Sequence, residues 1–299
     1  MILALGARGP GFDHRCFNLV SSIPLESGAY SDDFARHKMV GYAAAAYSDN
    51  PYLCVNNIGI NVDFKRQVTV GCDLLNSDTC SGFIAVDNNN KAIIISLRGS
   101  ISGIQIGMEV LETLFDKKES FISGGEVSRY FYDAWSLVWN GGLRDTFLTA
   151  KNQHPDYDVW VTGHSLGGAM ASLTAANIGY KKYVAKEKLK VITFGEPRVG
   201  DVEYAKGYDK VVGYSYRLIH HRDPVPHLPL RNMLNYQHTK EEVFYDNNMN
   251  PGSSYTICST KDDEKSCSNK YLNFETSDHG HYFKGIGYIV NADCKNLYP

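Results

Sequence analysis

The sequence predicts an α/β fold: a central, mostly parallel mixed sheet with helices on both faces. Three observations carry this. β-rich apolar runs alternate with helical stretches through the middle of the chain, and short crossovers of that kind place strands side by side and parallel. The 299 residues are 43% hydrophobic and 21% charged, enough to build a large core. No repeat, low-complexity linker or composition break divides them. The chain is therefore read as one domain over 1–299, with its motif-bearing core at about 82–229 and a C-terminal segment that completes the site.

Ser31 to Tyr47 reads as the first helix. Phe34, Met39, Tyr42, Ala43 and Ala46 recur near a 3.6-residue spacing, and Ser31, Asp32 and Asp33 supply a cap and an acidic first turn. Gly82 to Val86 and Ala92 to Leu97 are β-rich runs on either side of Asp87-Asn88-Asn89-Asn90-Lys91, a hairpin signal. Tyr130 to Thr149 reads as a helix interrupted at Gly141-Gly142. Asp158 to Thr162 is a short strand, and Ser165 to Ile178 is helical and rich in small residues. Lys190 to Phe194 and Tyr214 to Ile219 are further strands.

Several function classes are disfavoured. The net charge of −3 lacks the basic excess of a nucleic-acid binder. No apolar run approaches the ~18 residues of a membrane span. Seven cysteines occur without a C-x-x-C pair, which argues against a zinc knuckle or a thioredoxin-like site. Cys72 with Cys80 and Cys258 with Cys267 flank polar segments, a spacing that suits loop-closing disulfides and an oxidising compartment. The chain is read as secreted on its cysteines alone: Met1 to Ala7 has no basic n-region and is shorter than a normal signal-peptide apolar run, and no N-x-[ST] acceptor occurs.

The most informative stretch is Val159-Trp160-Val161-Thr162-Gly163-His164-Ser165-Leu166-Gly167-Gly168. It contains G-x-S-x-G, a pattern that this composition would produce about 0.2 times by chance. Context decides: a strand precedes the motif and an Ala-rich helix follows it. A serine there must project from a strained turn. A Cβ at position 163 or 167 would press on the neighbouring strand or helix. The helix N-terminus places N–H groups and a positive dipole end where an oxyanion would form.

With these residues the chain resembles the class 3 lipases, an α/β-hydrolase family typified by fungal triacylglycerol lipases. Leu97-Arg98-Gly99-Ser100 resembles the family's R-G-[ST] loop, and Gly163 to Gly168 its elbow. Thr193-Phe194-Gly195-Glu196-Pro197-Arg198-Val199-Gly200 resembles its F-G-x-P-R-V-G segment. Asp223-Pro224-Val225-Pro226-His227-Leu228-Pro229 resembles its acid loop. The wording of the loops is closer to animal, nematode-type members than to fungal ones. Val127-Ser128-Arg129-Tyr130-Phe131 departs from the family's V-H-x-G-F. Cysteine placement also departs from the fungal pattern, and Cys54 is paired with Cys294.

A serine hydroxyl needs a histidine base, and that histidine needs an anion, in the chain order Ser, acid, His. Asp223 follows a strand and precedes two prolines, whereas its neighbours Asp201 and Asp209 follow no strand. His279 opens His279-Gly280-His281-Tyr282-Phe283, which matches the family's H-x-x-Y-F. From the residues alone His281 stays open as the base, because an extended segment puts both rings on one face. His164 is expected to pack beneath the elbow.

The resemblance implies that Ser100, through its N–H and hydroxyl, joins the Leu166 N–H as an oxyanion donor. It also implies a lid over 103–115, where Ile104, Met108, Leu111 and Phe115 form one helical stripe; an ordinary surface helix would show the same stripe. The implied activity is carboxylic ester hydrolysis, of triacylglycerols first, with lipid ester taken from an oil–water or membrane surface. Phospholipase A1, feruloyl-type esterase and a silent lipid-binding protein are the alternatives. No metal or organic cofactor is called for.

Overall fold

The computed structural model describes residues 28–72, 79–99, 117–230, 234–258, 267–295 and 297. The strands are β1 (Val62–Gly71), β2 (Thr79–Asp87), β3 (Ala92–Arg98), β4 (Lys118–Ser120), β5 (Glu126–Ser128), β6 (Asp158–His164), β7 (Leu189–Phe194), β8 (Gly200–Asp201), β9 (Tyr214–His220), β10 (Tyr236–Gln237), β11 (Glu241–Tyr245) and β12 (Thr256–Cys258). Eight of them form one sheet in the order β1-β2-β3-β6-β7-β9-β11-β12. Its centre, from β3 to β11, is parallel, while β1-β2-β3 and β11-β12 pair antiparallel. A small second sheet runs β10-β8-β5-β4.

The helices follow from local sequence. Helix α1 comprises Asp32–Phe34, a π-helical Ala35–Met39 and Val40–Ala45; the Ser31 hydroxyl caps it by accepting from the Phe34 N–H at 3.2 Å. Next come α2 (Pro51–Ile58), α3 (Arg129–Val138) and α4 (Arg144–Gln153). The break between α3 and α4 is a π turn, Trp139–Leu143. Gly142 there has φ +123°, a conformation that the glycine pair supplies. Then come α5 (Leu166–Tyr180), α6 (Val202–Val211), α7 (Thr276–His279) and α8 (Ile286–Asn291).

Side chains alternate across the sheet and give it two cores. Ile84, Ile93, Ile95, Val159, Val161 and Val191 pack with α3, α4, α5 and α6 on one face. Phe83, Ala85, Ile94, Trp160, Ile192 and Phe194 pack with α1, α2 and α8 on the other. This is the predicted α/β architecture. Three disulfides form: Cys54–Cys294, Cys72–Cys80 and Cys258–Cys267, with Cα separations of 4.7, 5.5 and 6.3 Å. Cys16 lies outside the described residues.

Among the described residues no helix is long and apolar enough to cross a membrane.

Candidate active site

The parallel strands β6, β7 and β9 all deliver their C-terminal ends to one edge of the sheet, where the chain turns sharply. After β6, Ser165 adopts φ +58°, ψ −131°, and α5 starts at Leu166. Its N–H donates to the Phe194 carbonyl at 2.9 Å, so the elbow is anchored on β7. The flanking glycines are sterically required. A Cβ on Gly163 would collide with the Gly167 carbonyl, and one on Gly167 would collide with the carbonyl of Leu97 in β3. The strain at Ser165 is thus held by three close backbone approaches. The Gly168 and Ala169 N–H groups donate back to the Ser165 carbonyl, at 2.8 and 3.3 Å, so the N–H groups left at this helix end are those of Leu166 and Gly167.

Asp223 follows β9 by a short turn and is fully buried; His279 ends α7 and is 1% exposed. Both carboxylate oxygens lie 2.9 Å from His279 Nδ1. The Tyr282 hydroxyl donates to Oδ2 at 2.6 Å, and the Val225 N–H donates to Oδ1 at 2.9 Å. Burial by itself would raise the Asp223 carboxyl. The charge of His279, its hydrogen bond and those from Tyr282 and Val225 outweigh burial and hold the carboxyl below the usual range. Nδ1 donates to the carboxylate, so in the neutral ring it is Nε2 that carries the lone pair. That atom is buried and forms no hydrogen bond among the described residues. Gly195, with φ +59°, leaves room for the pair, since a Cβ there would lie 2.9 Å from both Asp223 Oδ2 and His279 Cε1.

His164, next to Ser165, is buried, and its ring lies 4.5 Å from the His279 imidazole. Its Nε2–H donates to the His279 carbonyl at 2.7 Å, which leaves Nδ1 to accept from the Tyr47 hydroxyl at 2.9 Å. Burial first, and the neighbouring His279 second, push its pKa down to about 3, so the ring is neutral. His281 takes no part in this contact; its ring lies 5.0 Å from that of His220. Asp201 caps α6, accepting from the Tyr204 N–H at 2.8 Å, and Asp209 lies within α6.

Comparisons with known proteins place the chain in a family. The "Lipase (class 3)" family pattern matches residues 94–233. A lipase of Caenorhabditis elegans is 31% identical over 301 residues, covering 90% of this chain and 84% of the relative. The chain belongs to the class 3 lipase family. A secreted mono- and diacylglycerol lipase of Penicillium cyclopium is 32% identical over 218 residues, 69% of this chain and 68% of that protein. Lipase II from Rhizopus niveus superposes with a TM-score of 0.72 at 22% identity, covering 87% of this chain and 98% of that one. The fold is that of an α/β-hydrolase, and the protein is a hydrolase acting on esters.

In this lipase Arg98 closes β3 and binds the residue that follows it. It is buried, and it donates to the Ala46 carbonyl at 3.4 Å, to the Gly99 carbonyl at 3.2 Å and to Thr79. Ser100 and the lid positions Ile104, Met108, Leu111 and Phe115 lie outside the described residues. Two neighbours of the site were not read from sequence. Tyr282 was noticed only as part of a motif, although a tyrosine three residues after the base is placed to reach the acid. Asp278, the residue before His279, was not singled out. Among the described residues the one metal-type cluster is Glu242, Cys258 and Cys267, and both of its sulfurs belong to a disulfide.

Proposed function

We propose that Ser165, His279 and Asp223 act as nucleophile, base and acid in the hydrolysis of acylglycerols, triacylglycerol foremost. The observation that carries this reading is the buried His279–Asp223 pair, whose Nε2 is unpartnered beside the strained serine elbow. Ser165 Oγ attacks the ester carbonyl carbon while its proton passes to His279 Nε2. The imidazolium is balanced by Asp223. The Leu166 N–H, at the start of α5, and Ser100, which directly follows the β3 loop, hold the oxyanion; one such donor is worth ~3 kcal/mol in the transition state. The C–O bond breaks, the imidazolium returns its proton to the departing alcohol, and a water activated by the same histidine releases the acid.

The Penicillium relative is a mono- and diacylglycerol lipase, which supports an acylglycerol. Substrate would be drawn from an oil–water or membrane surface, and Ile104, Met108, Leu111 and Phe115 are the residues assigned to contact it. Secretion of that relative and three disulfides support an extracellular protein. Ser165→Ala is expected to fold and to lose hydrolysis of emulsified triglyceride and of a soluble short-chain ester by at least about a thousandfold. Retained hydrolysis of both would overturn the assignment. Hydrolysis of phospholipid with triglyceride untouched would overturn the substrate class alone.

A further inference from the structure

One residue ties the turn that carries His279 to the strand end that carries Asp223. Asp278 Oδ2 accepts from the His221 ring Nδ1–H at 2.9 Å and from the Arg222 backbone N–H at 3.0 Å. Its backbone carbonyl accepts from His220 Nδ1–H and from the His281 N–H, both at 3.1 Å. These acceptors are a carboxylate and a carbonyl, so both ring Nδ1 atoms carry their protons. In return, the Arg222 carbonyl accepts from the Glu275 N–H at 3.0 Å. The three residues immediately before Asp223 are thus stitched to the segment around His279 by four bonds, three of which converge on Asp278.

The acid turn needs such a tie. His221 sits at φ +41°, a conformation uncommon outside glycine. Its own N–H is fixed on the Tyr245 carbonyl at 2.8 Å. Asp278 supplies the other restraint, on the ring and on the next peptide. The pair it serves is deeply buried, whereas the His221–Asp278 pair is near the surface, with side chains 32% and 15% exposed. A side-chain contact at such exposure adds little to global stability. Displacing a reacting group by about 1 Å, in contrast, costs on the order of a hundredfold in rate.

We propose that Asp278 is a positioning residue for ester hydrolysis: acting through the acid turn, it holds the Asp223 carboxylate in register with His279 Nδ1. This rests on the serine–histidine–aspartate reading above.

The test is steady-state kinetics on a soluble short-chain ester. Asp278→Ala is expected to lower kcat by about thirtyfold or more, with KM within about twofold and Tm close to wild type. Asp278→Asn keeps an acceptor oxygen for both donors and is expected to stay within about fivefold of wild type. His221→Ala, which removes one donor, lowers kcat about fivefold and adds little on top of Asp278→Ala, because both act through one contact. An Asp278→Ala enzyme with kcat within about threefold of wild type would overturn the proposal. So would an Asn variant as impaired as the Ala one, or losses that multiply in the double variant. If Asp278→Ala does not fold, an unimpaired His221→Ala has the same force. Labelling by a fluorophosphonate separates the two readings: wild type unlabelled at Ser165 overturns both, whereas labelled wild type with unimpaired variants overturns this one alone.

Discussion

At the residue scale the site is a set of buried ionisable groups whose neighbours decide their state. The lowered carboxyl of Asp223 depends on donors, and Tyr282 is one of them. A depressed carboxyl adds stability above its unfolded pKa, and that stability is lost as pH falls through the folded value. Tyr282→Phe removes a donor, so its acid-unfolding midpoint should lie at a higher pH than wild type, followed by circular dichroism. It should also lose about tenfold in kcat/KM, the usual worth of a hydrogen bond to a charged group. Glu196 has the opposite sign. Burial pushes its carboxyl up to about 7, against the pull of Arg217 and of hydrogen bonds from Thr193 and Ser172. Its contribution to stability is full below the unfolded carboxylate pKa and is lost as pH rises towards about 7. Glu196→Gln should therefore raise Tm relative to wild type at pH about 8.5 and not at about 5. Equal shifts at both values would contradict the buried, near-neutral titration.

At the element scale the decisive features are turns. Gly163→Ala places a methyl group against the backbone of Gly167, where no side chain can move aside. It should leave little folded protein in the soluble fraction, and a folded, active variant would contradict the packing of β6 against α5. This elbow was legible in the sequence because a strand, two glycines, a serine and an Ala-rich helix all follow from one steric demand. The hairpin at Asp87–Lys91 was legible for a similar reason. Asp87 accepts from the Asn90 N–H at 2.9 Å, and Lys91 takes φ +51°. Strand β1 was missed. Its apolar alternation, Val62, Phe64, Val68, Val70, is broken by a register shift between Phe64 and Arg66, and as an edge strand it exposes most of its polar residues. Strand β11 was missed because it opens on Glu241 and Glu242; the buried Glu242 is satisfied by the Ser268 N–H at 2.9 Å, a contact no local pattern announces. The same holds for Asp278, whose partners lie 56 and 57 residues away.

At the scale of the whole molecule, the parallel centre of the sheet delivers Ser165 and Asp223 to one edge, and His279, at the end of α7, bonds Asp223 across 56 residues of chain. Alternation of strand and helix was enough to read that centre, but not the antiparallel edges or the second sheet, which depend on long-range pairing. The C-terminal segment bearing His279 is secured against the first helices by Cys54–Cys294, whose cysteines are 240 positions apart in the chain. Replacing both cysteines by serine should cost about 2–5 kcal/mol in denaturant unfolding, because the loop released in the unfolded state is long. An unchanged midpoint would show that this bridge does not restrain the unfolded chain. The central claim, that the hydroxyl at 165 is activated by the imidazole at 279, is tested most directly by mapping the site of fluorophosphonate modification by peptide mass spectrometry in wild type and in His279→Ala. Modification at Ser165 in wild type, slowed by about a thousandfold or more in His279→Ala, is the expected result; modification at another residue, or at Ser165 with equal speed in both proteins, would contradict the account.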